Sequence, residues 1–75
     1  MIFPNPSKGS FKVKTSNTYK NVMIEVHDIC GKLVHRQIFS NSNEASIELA
    51  NQSKGLYFIT IHADNNTSKQ KIVIE

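Results

Sequence analysis

Apolar residues recur at every second position through most of the chain, and no window keeps the spacing of an amphipathic helix. Phe11, Val13 and Thr15 fall on one side of their segment, with Ser10, Lys12 and Lys14 on the other. Val22, Ile24 and Val26 share a face backed by Met23, Glu25 and His27, and the pattern resumes after Gly31 with Val34 and Ile38. Ala45, Ile47 and Leu49 alternate with Ser46 and Glu48, then Tyr57, Ile59, Ile61 and Ala63 with Phe58, Thr60 and His62. Ile72 and Ile74 close the series, with Lys71, Val73 and Glu75 opposite. Ser16-Asn17-Thr18, Ser40-Asn41-Ser42-Asn43, Asn51-Gln52-Ser53 and Asp64-Asn65-Asn66-Thr67 separate these segments with turn-prone chemistry. The pattern predicts strands near residues 1–3, 10–15, 20–28, 32–39, 44–49, 56–63 and 68–74. About seven short strands at even spacing define an all-β sandwich or small barrel.

The clearest turn is Asp28-Ile29-Cys30-Gly31-Lys32. An aspartate at its first position accepts backbone N–H bonds, and glycine at the fourth tolerates positive φ, the chemistry of a type I turn closed by a glycine bulge. Pairing Asp28 with Lys32 sets Val26 opposite Val34 and Val22 opposite Ile38. The same register puts Arg36 opposite Ile24 on the apolar face, so either a bulge re-aims Arg36 or its stem packs while its head reaches solvent. In Pro4-Asn5-Pro6 each proline fixes its own φ and holds the preceding residue extended, with Gly9 releasing the chain into the next strand. Gly55 precedes a strand whose inward Tyr57 fills core volume while its hydroxyl bonds a backbone group at the sandwich edge.

Seventy-five residues form a single small domain. A chain of this size buries only about 60–65% of its unfolded surface, so its stability is expected to be marginal. Its apolar runs stop at four residues, far short of the roughly 18 that span a bilayer. No segment has the build of a signal peptide. Met1 leads into an apolar Ile2-Phe3, and the chain reads as a piece of a larger precursor.

Net charge is +3, and Lys8, Lys12, Lys14 and Lys20 all precede the first acid, Glu25. This basic quarter is available to lipopolysaccharide, nucleic acid or an acidic protein face. The simpler reading, solvated lysines on the outer side of a strand, is favoured.

Candidate chemistry is sparse. One cysteine excludes a disulfide framework and a multi-cysteine zinc site. The turn register places His27 and His35 as diagonal neighbours on one outer face, roughly 7–8 Å apart. Glu25 is their only near companion and His62 is assigned to a distant strand, so neither a metal nor any other cofactor is predicted. Cys30 has no histidine base beside it in sequence, and no Ser-His-Asp set or carboxylate pair lies within a motif that would assemble it. Lys54-Gly55-Leu56-Tyr57-Phe58-Ile59-Thr60-Ile61 partly mimics an RNA-recognition strand. Leu56, Tyr57 and Ile61 break its required positions and the helices of that fold are missing, so nucleic acid is not predicted as a partner. Asn51, Asn65 and Asn66 begin glycosylation sequons of a kind frequent by chance in Asn/Ser-rich loops.

Read in order, the motifs resemble the type A C-terminal sorting domain of the type IX (Por) secretion system along nearly the full chain. Phe3 to Gly9 follow a (Y/F)-P-N-P-x-x-x-G opening and Asp28 to Lys32 a D-(L/I)-x-G-(K/R) strand end. Gly55 and Tyr57 match a G-x-Y strand entry, and Lys71 to Ile74 an apolar terminal strand after lysine. Each piece alone is weak; their order and spacing carry the likeness.

The resemblance implies an immunoglobulin-like antiparallel β-sandwich of about seven strands. It implies a non-catalytic module at the end of a secreted Bacteroidota protein, folded in the periplasm and covalently fused to an upstream passenger. Its expected partners are an outer-membrane translocon, a shuttle protein and a sortase-like protease that removes the domain by cutting upstream of it. The passenger is then released or attached at the cell surface. Where many relatives end in lysine, this chain has Glu75. The residues expected to be recognised are Pro4, Asn5, Pro6, Gly9, Gly31, Gly55, Tyr57, Lys69, Lys71, Ile72, Val73, Ile74 and Glu75. Strand addition to the terminal strand is the expected mode, with Lys69 and Lys71 adding charge specificity. The alternative is a fibronectin-like spacer or carbohydrate-binding module, the latter disfavoured by the lack of tryptophan.

Overall fold

Eighteen consecutive residues, Ser10–His27, form one strand, where two strands and a turn are predicted. The computed structural model describes residues 2–4, 8–49 and 52–75, apart from the side chain of Ser16. The strands are β1 (Ile2–Phe3), β2 (Ser10–His27), β3 (Leu33–Glu48), β4 (Gly55–Ala63) and β5 (Asn66–Ile74). All pairings are antiparallel. The hydrogen-bonded order is β1-β2-β4-β5, with β3 also on β2.

The long strands account for the lower strand count. Predicted strands 10–15 and 20–28 fall, but for Asp28, on the two halves of β2, and 32–39 and 44–49 fall, but for Lys32 and Leu49, within the single continuous β3. At about 3.3 Å per residue an 18-residue strand runs to roughly 60 Å, yet the longest dimension of the molecule is 32 Å. β2 therefore bends. The bend lies between the pairs Lys14↔Glu44 and Tyr19↔Ser42, where residues 15–18 of β2 face only Asn43 of β3. The polar residues predicted to form turns form this corner instead. Thr15 Oγ1 donates to the Asn17 carbonyl at 2.7 Å, Ser42 Oγ to the Glu44 carbonyl at 2.9 Å, and Asn41 has φ 53°.

The corner turns one sheet into two layers. The first half of β2 lies between β1 and the end of β3, and the second half between the start of β3 and β4, with β5 outside β4. Phe11, Val13, Ala45 and Ile47 from the first layer share one core with Val22, Ile24, Val26, Tyr57, Ile59, Ile61, Ile72 and Ile74 from the second. Apart from Thr15, Val34 and Ile38, the residues predicted to face inward are buried, and the all-β sandwich of immunoglobulin-like kind is the observed architecture.

The register across the β2–β3 turn departs from prediction. Gly31 N–H donates to the Asp28 carbonyl at 3.0 Å, and Asp28 Oδ1 accepts from the N–H groups of Cys30 and Lys32, each at 2.9 Å. Gly31 has φ 86°, as the glycine bulge requires. A second irregularity follows, because His27 pairs with Leu33 and Val26 with His35, leaving Val34 as the extra residue. The shift sets Val22 against Phe39, Ile24 against Gln37 and Met23 against Ile38. Ile38, expected in the core, is 68% exposed. The bulge also settles Arg36: it pairs with Glu25 on the outer face and donates from Nε to Met23 Sδ at 3.2 Å.

The tip of the β4–β5 hairpin is fastened to β2. Asp64, with φ 54°, accepts from Asn21 N–H at Oδ1 (3.0 Å) and donates its own N–H to the Asn21 carbonyl (3.0 Å). No helix among the described residues is long and apolar enough to cross a membrane.

Candidate recognition surface

Among the described residues β5 is the last strand in the hydrogen-bonded order, and its register with β4 gathers much of the predicted site. Gly55 pairs with Ile74, Leu56 with Val73, Tyr57 with Ile72, Phe58 with Lys71 and Thr60 with Lys69. Ile72 and Ile74 are buried while Lys69, Lys71, Val73 and Glu75 are exposed. The strand thus divides its predicted site residues between a folding side and a side that faces outward.

Tyr57 is the hinge of this arrangement. Its ring is buried, and its hydroxyl donates to the Ser53 carbonyl at 2.6 Å. The bond ties the segment entering β4 to the core next to Ile72, the edge role expected of an inward tyrosine.

The remaining predicted residues lie elsewhere. Gly9 is buried at the start of β2 and has φ 113°; its carbonyl accepts from Leu49 N–H at 2.8 Å. Pro4, exposed, follows β1, whose strand partner among the described residues is β2 rather than β5. Asn5 and Pro6 lie outside the described residues. Gly31 belongs to the β2–β3 turn.

The outer face of the second layer carries residues that the sequence reading left unassigned. The registers align Leu33, His27, Phe58 and Lys71 in one row across β3, β2, β4 and β5, and Arg36, Glu25, Thr60 and Lys69 in the next. Phe58 is 38% exposed, and Ile29, at the tip of the adjoining turn, is 71% exposed. One sequence signal points to this surface: an aromatic on the polar side of an alternating strand.

The histidines are not arranged as predicted. His35 pairs with the inward Val26, whereas His27 lies in the outer row, so the bulge puts them on opposite faces. His62 is not distant: β4 pairs directly with β2, and His62 Nε2 lies 3.0 Å from Glu25 Oε1, with Thr67 Oγ1 3.3 Å from Nδ1. Among the described residues, no three of His, Cys, Asp and Glu come together as a metal site. Cys30 is exposed at the turn tip.

Fold and surface together define a small immunoglobulin-like β-sandwich module with a mixed apolar and charged outer face. Along its whole length, residues 1–75, the chain matches the secretion system C-terminal sorting domain, and it belongs to that family. A search of the curated proteins found no match to the chain. The family is the C-terminal sorting signal of type IX secretion, a role consistent with Bacteroidota and the cell surface. Membership implies export to the cell surface or release, interaction with the secretion machinery, and an upstream passenger fused to the domain.

Proposed function

We propose that residues 1–75 are a single, non-catalytic sorting domain at the C-terminus of a larger secreted precursor. The passenger and domain cross the inner membrane first, and the domain folds in the periplasm. A shuttle protein and the outer-membrane translocon then recognise it, and a sortase-like protease removes it by cutting upstream of the sandwich. The full-length family match carries this reading.

The signal itself is assigned to Lys71–Glu75 of β5 and its flank, with Lys69 adding charge and the Pro4–Gly9 connection contributing a second element. Gly55 and Tyr57 support it by holding Ile74 and Ile72 in register, and Gly31 by closing the β2–β3 turn. The proposed mode is recognition by strand addition, in which main-chain bonds give affinity and alternate side chains give specificity.

The test is export of a periplasm-targeted fluorescent reporter ending in these 75 residues. The host is a Bacteroidota strain, compared with an isogenic translocon knockout. Reporter outside the wild type and retained in the knockout is the expected result. Retention in both, with the domain folded, overturns the reading in favour of a spacer or binding module. Deleting residues 71–75 is expected to abolish export. Circular dichroism of the same truncation separates loss of signal from loss of fold, because Ile72 and Ile74 also belong to the core.

A further inference from the structure

A cleft between the two layers lies beside the corner of β2. β3 pairs with both halves of β2, so β1 and β4 share the opposite edge, β1 at residues 12 and 13 and β4 at residues 22–27. Asp64 extends the β4 side as far as Asn21. Among the described residues no strand pairs with that edge over residues 15–19. The cleft opens there, about 290 Å³ in volume, lined by Thr15 and Tyr19 of β2, Ile61 and Ala63 of β4, and Ser68 and Gln70 of β5. Ile61 and Ala63 belong to the core. Ser68 and Gln70 lie on the inward side of β5, paired with the buried Ile61 and Ile59, yet Ser68 is exposed and Gln70 half-buried. Among the described residues, this end of the inner face has nothing laid over it.

We propose that the chain immediately upstream of residue 1 prolongs β1 along β2 and fills this cleft. The register decides where it goes. Ile2 pairs with Val13 and Phe3 with Lys12, so each residue added before the strand advances one position along β2. The first upstream residue falls opposite Thr15 and the second opposite Ser16. Paired residues of a ladder point to the same side of the sheet, and neighbours along a strand to opposite sides. Val13 is fully buried, so Thr15 and the first upstream residue share its inward side. That residue reaches Ile61 and Ala63, where an apolar side chain is accommodated, with Ser68 and Gln70 beside it. β1 already holds the segment at this edge, so docking is intramolecular and favoured over capture of a free peptide. The inference rests on the precursor reading, which supplies the upstream chain. It goes beyond that reading in giving the junction a docked state: the connection that the protease cuts is held against the sandwich, and cutting requires its release.

The experiment compares two ¹⁵N-labelled proteins, the chain from residue 1 and the same chain preceded by its natively encoded junction. Amide exchange and nuclear Overhauser contacts are read at Thr15, Ile61 and Ser68. The junction is expected to bring a cross-strand contact between its last residue and Thr15, to slow exchange there, and to shift the Ile61 and Ser68 signals. Ser68→Trp fills the cleft from an exposed position. It is expected to abolish these effects and to speed cutting of the junction by a broad-specificity protease about tenfold, since cutting follows the population of the open form. Replacing the first upstream residue by aspartate sets a charge against Ile61 and Ala63 and is expected to act in the same direction.

Circular dichroism checks the fold of Ser68→Trp. Should it not fold, the aspartate replacement, which leaves residues 1–75 untouched, decides alone. Identical spectra with and without the junction, contacts confined to other surfaces, or equal cutting of wild type and folded variants would each overturn the proposal. So would effects that grow with protein concentration, which place a second copy in the cleft. A gene that begins at residue 1 would remove the precursor reading and the proposal together. Reporter export without docking removes the proposal alone, and docking without export removes the sorting reading and leaves the docked junction standing.

Discussion

The Tyr57 hydroxyl reaches four residues back along the chain to the Ser53 carbonyl, 2.6 Å away, while the ring beneath it is buried against the core. One side chain therefore fixes both the entry angle of β4 and the packing of Ile72 on its partner strand. Tyr57→Phe keeps the ring and removes the bond. A urea melt is expected to show a loss of about 1 kcal/mol, the net worth of one such bond, with the far-ultraviolet spectrum unchanged.

Asp28 holds the β2–β3 turn through two N–H bonds to one carboxylate oxygen. Asp28→Ala removes both, and a loss of about 1–2 kcal/mol is expected because the freed N–H groups are partly hydrated. Asp28→Asn retains an acceptor oxygen and is expected to lose less. Equal losses from the two substitutions would show that the bonds are not the source of the stability.

Neighbouring residues of β5 separate folding from recognition. Ile72 is fully buried and Val73 is 42% exposed. Ile72→Ala is expected to cost about 3 kcal/mol through lost burial and a residual cavity. Val73→Ser is expected to cost under about 0.5 kcal/mol, as for most surface changes. In the reporter assay Val73→Ser then reports on recognition, because the domain that carries it is folded.

Gly9 cannot be replaced cheaply. Its φ of 113° is foreign to residues with a Cβ, and a Cβ there would sit 3.2 Å from the Leu49 carbonyl oxygen. Gly9→Ala is expected to cost about 1–2 kcal/mol in a thermal or urea melt. An unchanged midpoint would show that the β2 start relaxes away from Leu49.

The inward faces were legible because period-two alternation is the direct consequence of burying one side of a strand. Every residue from Phe11 and Val13 to Ile72 and Ile74 that the pattern turned inward is buried, apart from Thr15 at the corner and Val34 and Ile38 in the first part of β3. The exceptions have physical causes. One extra residue at Val34 reverses the faces of β3 from His35 to Phe39 relative to the predicted register, which no count of apolar positions reveals, and it carries Arg36 outward, Ile38 into solvent and His35 away from His27. The polar clusters at residues 16–18 and 40–43 have turn composition, yet the strands run through them, because hydroxyl-to-backbone bonds and a left-handed Asn41 bend a strand without ending it. In the candidate site, the pairing of Gly55 and Tyr57 with Ile74 and Ile72 follows from their motif positions. The meeting of Ile29 and Phe58 at one open hollow does not, since alternation marks Phe58 as outward but says nothing about which turn stands beside it.

The corner of β2 is made by four residues facing one on β3, and that surplus of three sets how the two layers close on each other. Geometry of this kind is written in chain length. Polar substitutions among residues 16–18 leave the arithmetic intact, whereas losing a single residue would turn half of the longest strand inside out. The segment that looks most expendable in composition is therefore free to drift in identity and bound in number, a ruler rather than a linker.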